Sequence, residues 1–130
     1  MPIQDAPAMP RPILDEDAIH PAIRDKVAKQ RMDIVREVQA VIAEHPVVVV
    51  GMGLNPHPKR ARRALERAGI GHRYLEYGSY IRGWRRRNAL KMWTGWGTFP
   101  MVFVRGTLVG GADELEQLVA SGELARMLKA

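Results

Sequence analysis

The chain has 130 residues, 46% of them hydrophobic and 26% charged, with a formal net charge of +6 and no cysteine. That length and balance suit one folded domain burying about two thirds of the surface its unfolded chain exposes, and they exclude the low-hydrophobicity signature of disorder. The missing sulfhydryl removes disulfides, thiolate metal sites, thiol nucleophiles and thiol redox chemistry from whatever this chain does with its own side chains.

Charge is unevenly placed. Residues 1–45 carry six basic and eight acidic groups, residues 46–130 fourteen and six, a net −2 followed by a net +8. The basic part attracts anions in general, so nucleic acid, acidic proteins and small anionic ligands are all admissible. No run approaches the roughly 20 apolar residues of a membrane span, and the first residues lack the regions of a signal peptide, so no membrane partner and a cytoplasmic location are expected.

Residues 1–18 hold four of the nine prolines and no sustained period, and read as an extended or disordered leader. Residues 19–130 are expected to form a single domain, with a long N-terminal helix over 19–45 and a core over 46–130. Pro21 suits a first helical position, and Ile23, Val27, Ile34, Val38 and Ile42 recur at helical spacing. Pro46 ends that helix. The run Val47-Val48-Val49-Val50 lacks polar alternation, as a strand buried on both faces does.

A glycine turn, GMGL, then leads to Asn55-Pro56-His57-Pro58 and a helix to about Ala68, with Gly69 closing it. His72 to Tyr77 is a second strand, parallel to the first by a right-handed crossover. Arg82 to Trp93 reads as helix. Met101 to Val104 and Thr107 to Val109 flank Arg105-Gly106, a tight hairpin connection. Leu115, Leu118 and Val119, then Leu124, Met127 and Leu128, mark one or two closing helices, split at Ser121-Gly122.

This order, with Thr98-Phe99-Pro100 before the third strand and Gly110-Gly111-Ala112-Asp113 after the fourth, resembles the glutaredoxin family within the thioredoxin fold. The resemblance runs from about Val47 to the C-terminus. It implies an α/β, thioredoxin-like four-stranded mixed sheet flanked by helices, to which the long N-terminal helix is an addition. VVVVGMGLNPHPKRA aligns without gaps on the segment where the family carries Cys-Pro-Tyr-Cys, so the two redox cysteines fall on Asn55 and Pro58. The spelling WTGWGTFP looks more like the monothiol glutaredoxins, while the turn keeps the dithiol spacing.

The family's thiolate attacks a glutathione mixed disulfide from a helix N-terminus. Asn55 and Pro58 cannot, nor can they ligate the iron–sulfur cluster of monothiol members, so no catalytic residue, no required cofactor and no cluster are expected. Asn55 also reads simply as a good N-cap, with Pro56 at the first helical position. His57 is expected exposed, able to meet a bound anion or merely to face solvent.

The four histidines show no metal-ligand spacing, and Ser79 and Ser121 lie in no nucleophile motif, so no metal site is expected.

Resemblance further implies a groove for glutathione. Its lysine before the turn is replaced by Met52. Arg87 stands at the family's distance before Thr98, to pair with a carboxylate or to be solvated in a basic run. Thr98, Phe99 and Pro100 supply main-chain pairing. Ala112 and Asp113, at a helix start, hold the γ-glutamyl end, although Asp113 equally caps its helix.

Weak, non-redox binding of glutathione or a related anionic peptide is the expected function. Two alternatives are a polyanion or nucleic-acid binder using Lys59, Arg60, Arg62, Arg63 and Arg82 to Arg87, and a protein-interaction or homodimer module using the N-terminal helix. Nucleic acid is disfavoured because Trp84 is the single aromatic within those basic runs.

Overall fold

The computed structural model of the chain describes residues 10–129. They form two units, one ending at Gln30 and one beginning at Arg31. Of the leader expected over 1–18, residues 1–9 lie outside the described residues; the rest is irregular apart from one 3-10 turn, Glu16–Ala18. In this first unit α1, Pro21–Lys29, is capped by His20, whose Nδ1 accepts from the Ala22 amide at 3.0 Å, with Pro21 at the first position. Asp25 and Lys29 pair one turn apart at 3.1 Å, and α1 has no buried residue.

The expected unbroken helix over 19–45 is therefore corrected to two. Gln30 is extended and Arg31 left-handed, at φ 55°, before α2, Met32–Glu44, begins. Lys29-Gln30-Arg31 contains no apolar side chain, so no burial offsets the break, and a left-handed non-glycine residue costs only about 1–2 kcal/mol. The apolar spacing continues across the interruption, but Ile23 and Val27 are exposed whereas Ile34 and Val38 are buried.

In the second unit β1 (Val47–Gly51), β2 (Arg73–Glu76), β3 (Met101–Val104) and β4 (Thr107–Gly110) make one sheet in the order β2-β1-β3-β4. β1 runs parallel to β2, with Val48 beside Arg73, and antiparallel to β3, with Val47 beside Val104. β3 and β4 form the expected hairpin, and both connecting residues, Arg105 and Gly106, have positive φ, as a tight hairpin turn requires.

β1 is central, and its side chains alternate between two cores. Val48 and Val50 join Ile34, Val35 and Val38 of α2, Leu90 of α4 (Trp84–Thr94) and Phe103. Val47 and Val49 join Ala61 and Leu65 of α3 (Pro56–Arg67), Leu115 of α5 (Ala112–Ser121) and Leu124 of α6 (Glu123–Lys129). Helices on both faces explain why the valine run carries no polar alternation.

Tyr77, just past β2, ties the first core to its surface: its hydroxyl donates to Glu37 of α2. Burial, then that bond, then the Glu37 charge push the phenol well above its usual range, with Arg86 acting in the opposite sense. Tyr74, donating to Glu76 at 2.9 Å, is raised in the same way. A group that holds its proton more tightly when folded contributes fully below its unfolded pKa, about 10 for tyrosine, and loses that contribution as pH rises from there through the folded value. The double substitution Tyr74→Phe with Tyr77→Phe is therefore expected to flatten the fall in stability above about pH 10. Urea titrations across that range check it, and an equally steep fall in the variant would contradict the assignment.

Candidate functional site

β1 ends at Gly51 and leads through residues 52–54 to Asn55 and α3. Gly51 is required there because a Cβ would lie 2.7 Å from the Pro58 Cβ. The turn is fastened on one side, where the Tyr77 amide donates to Gly51 O at 2.9 Å and the Gly53 amide to Gly78 O at 2.7 Å. Leu54 takes a positive φ of 61°, and Asn55 returns to extended backbone as the N-cap. Its Oδ1 accepts from the His57 amide at 2.9 Å. Pro56 and Pro58 fall in the first turn, where their missing N–H groups break no helical bond, and Pro58 is buried against β1.

The other end of the Asn55 amide reaches across the site. Nδ2 donates to the Phe99 carbonyl at 3.4 Å, bridging the start of α3 to the segment ahead of β3. The Phe99–Pro100 peptide bond is cis. Phe99 is buried, with Lys91 Nζ 5.9 Å from its ring centroid, while Thr98 is exposed. The start of α5 adjoins this segment: a Cβ on Gly111 would meet Pro100 O at 3.4 Å and Trp96 Nε1 at 3.7 Å. That indole nitrogen is buried without a hydrogen-bond partner. Glu114 reaches back to the Gly111 amide at 2.8 Å, so one of the first donors of α5 is already satisfied.

Asn55, His57, Phe99, Pro100, Ala112 and Asp113 are thus gathered at one end of the sheet. Asp113 stands on the outer side, paired with Arg60 of α3, whose Nε also lies 3.3 Å from Glu116. Arg87 departs from its expected solvated role. It is 6% exposed, and its Nη1 donates to Tyr77 O at 3.1 Å and Arg82 O at 2.6 Å, so the guanidinium staples the 77–82 loop and is not a solvated member of a basic run.

The remaining basic residues are also partly engaged: Arg62 stacks over Tyr74 at 4.2 Å, and Arg86 lies 3.7 Å from Asp33 and over Tyr77. Two contributions escape sequence reading, the Asn55–Phe99 bridge and the Arg60–Asp113 pair. Each joins residues far apart in the chain that no periodicity links.

Among the described residues no three His, Asp or Glu side chains are grouped to hold a metal ion, and no helix is long and apolar enough to cross a membrane.

No protein-family model matches the chain. It is 44% identical over 97 residues to a glutaredoxin-like protein of Dictyostelium discoideum, covering 75% of this chain and 79% of that one. It is 28% identical over 105 residues to glutaredoxin-C1 of Arabidopsis thaliana, covering 80% and 84%. Among solved structures, oxidized glutaredoxin 2 from Chlamydomonas reinhardtii superposes with a TM-score of 0.65 at 26% identity over 76% of this chain and 94% of that chain. Strand order, the turn into α3, the segment before β3 and these relatives agree: the chain belongs to the glutaredoxin family and carries its thioredoxin fold, without a cysteine.

Proposed function

We propose that this protein is a thiol-free, redox-inactive member of its family that binds glutathione or a related anionic peptide weakly in the cleft between the α3 N-terminus, Thr98-Phe99-Pro100 and the start of α5. The observation that carries this reading is the double use of Asn55, which caps α3 and bridges to Phe99 O where a nucleophile would stand. An amide so placed holds the shape of the turn and supplies no electrons. With Asn55 and Pro58 at the thiol positions, the site offers no thiolate to an iron–sulfur cluster.

Weak affinity follows from two features. Met52 brings no cation to the cleft, and a peptide ligand pairing with the Phe99 carbonyl shares that acceptor with the Asn55 amide. A dissociation constant on the order of 1 mM is expected, some −4 kcal/mol. The nucleic-acid reading is less well supported, because Arg60, Arg62 and Arg86 already have partners within the fold.

The test is a titration of reduced glutathione into labelled protein followed by NMR at low and moderate salt, with Asp113→Ala alongside. Shifts at Asn55, Phe99 and Asp113 that are weakened in the variant support the cleft. No shifts at about 10 mM ligand, well above the expected constant, or diffuse shifts over α3 and α4 that vanish with salt, overturn it.

A further inference from the structure

Large apolar side chains that remain exposed in the second unit are Leu54, Tyr80, Ile81, Trp84 and Met92. Four of these five belong to one connected region, since the turn bearing Leu54 is bonded to the 77–83 loop through Gly53 and Gly78. They are exposed by 72% (Leu54), 65% (Tyr80), 79% (Ile81) and 56% (Trp84). Exposed apolar residues scattered singly need no explanation; a contiguous set on a folded surface marks a place where something binds.

The loop that displays them is well held. Ser79 N donates to Arg82 O at 2.9 Å, Ile81 N to Ser79 Oγ at 3.2 Å, and the buried Arg87 guanidinium fastens Tyr77 O and Arg82 O from beneath. Such anchoring lowers the ordering cost that a partner must overcome.

Charge identifies the kind of partner. From Tyr77 through Arg87 the chain has four arginines, Arg87 included, and no acidic residue. Arg82 and Arg85 are exposed, and among the described residues neither forms an ion pair, while Arg85 lies 5.2 Å from the Trp84 ring. Glu76, a carboxylate near Gly53, accepts from the Tyr74 hydroxyl through Oε1, while its Oε2 is the oxygen on the Gly53 side.

We propose that Leu54, Tyr80, Ile81 and Trp84, with Arg82 and Arg85, form a docking surface for an acidic polypeptide segment that carries apolar side chains. Trp, Tyr and Arg are the residues that dominate such interfaces energetically. Single-stranded nucleic acid fits less well, because Leu54 and Ile81 offer no ring for a base to stack on. The surface lies beside the cleft and stands whether or not the cleft holds glutathione.

The test selects phage-displayed random dodecapeptides on the full chain, counter-selecting on Ile81→Ser with Trp84→Ser, two exposed positions whose change should leave the thermal midpoint unaltered. Enriched peptides are expected to combine Asp or Glu with Leu, Phe or Trp. A synthetic consensus peptide should bind at least about tenfold more weakly to that variant, and Arg82→Ala with Arg85→Ala should remove most of its salt dependence.

The proposal is overturned by no enrichment over the counter-selection or by enriched peptides without acidic residues. It is equally overturned if a thymidine oligonucleotide or phosphatidylserine vesicles bind through these residues in preference to any peptide, or if sedimentation shows self-association that the same variants abolish.

Discussion

Asn55→Cys is expected to yield a thiol that iodoacetamide alkylates at neutral pH with a titration midpoint well below the 8.5 of free cysteine, between about 5 and 7.5. The position is the N-cap of α3, where the first helical amides and the aligned peptide dipoles favour a negative charge. Oδ1 already accepts the His57 amide there, and a thiolate would take over that donor. Because the chain has no other cysteine, every thiol alkylation event reports on this one site.

Loss of the amide cap and of the bridge to Phe99 should lower stability by about 1–2 kcal/mol, which a urea titration can check independently. Given a glutathione mixed disulfide, the thiolate would attack the glutathione sulfur, form a new disulfide with it and release the substrate's thiol. Reduced glutathione must then be supplied to regenerate the free thiol. A midpoint at or above 8.5 would mean that the turn does not retain an environment suited to a thiolate, and would undo the reading of Asn55 as the replacement of a nucleophile.

The sheet and its hairpin were legible because each depends on local chemistry. A run of four valines without polar alternation requires cover on both faces, and α2 with α4 and α3 with α5 provide it. Arg105-Gly106 supplies two positive φ values in the two-residue turn between β3 and β4. Gly69 and Gly122, both at positive φ, close helices where the sequence said they should.

Interruption of the first helix was not legible, because apolar spacing records which face would be buried but not whether the helix between is continuous. The cleft was legible through Thr98-Phe99-Pro100 and the α5 start, but the direction of a long side chain was not. Arginine at a given spacing can face solvent, a ligand or its own backbone with the same sequence signature, and Arg60 and Arg87 both turned toward the protein. Asn55 shows the same limit on a smaller scale: capping was readable from residue type, whereas the bond to Phe99, 44 positions away, depends on the tertiary fold.

Removing the Arg87 guanidinium separates its inward role from a ligand-binding one. Nη1 serves two main-chain carbonyls, those of Tyr77 and Arg82, in a residue that is 6% exposed. In Arg87→Ala the Tyr77 carbonyl, partnered by the guanidinium at a buried position, loses its donor, and the turn around Gly78, which is already at positive φ, loses its tether. A buried carbonyl left unpaired costs about 1–3 kcal/mol, and the cavity under the loop adds to it, so a loss of about 3 kcal/mol is expected. For a chain of this size that lowers the thermal midpoint by roughly 10 °C.

Amide hydrogen exchange should rise first in 77–83, the segment in which the Tyr77 and Arg82 carbonyls lose their shared donor. An arginine reserved for a ligand carboxylate would behave in the opposite way, leaving stability within about 0.5 kcal/mol of the parent while abolishing glutathione shifts. That second pattern would overturn the assignment. The first would also disorganise the surface that carries Tyr80 and Ile81, so the substitution should weaken peptide docking there without touching any residue that contacts the peptide.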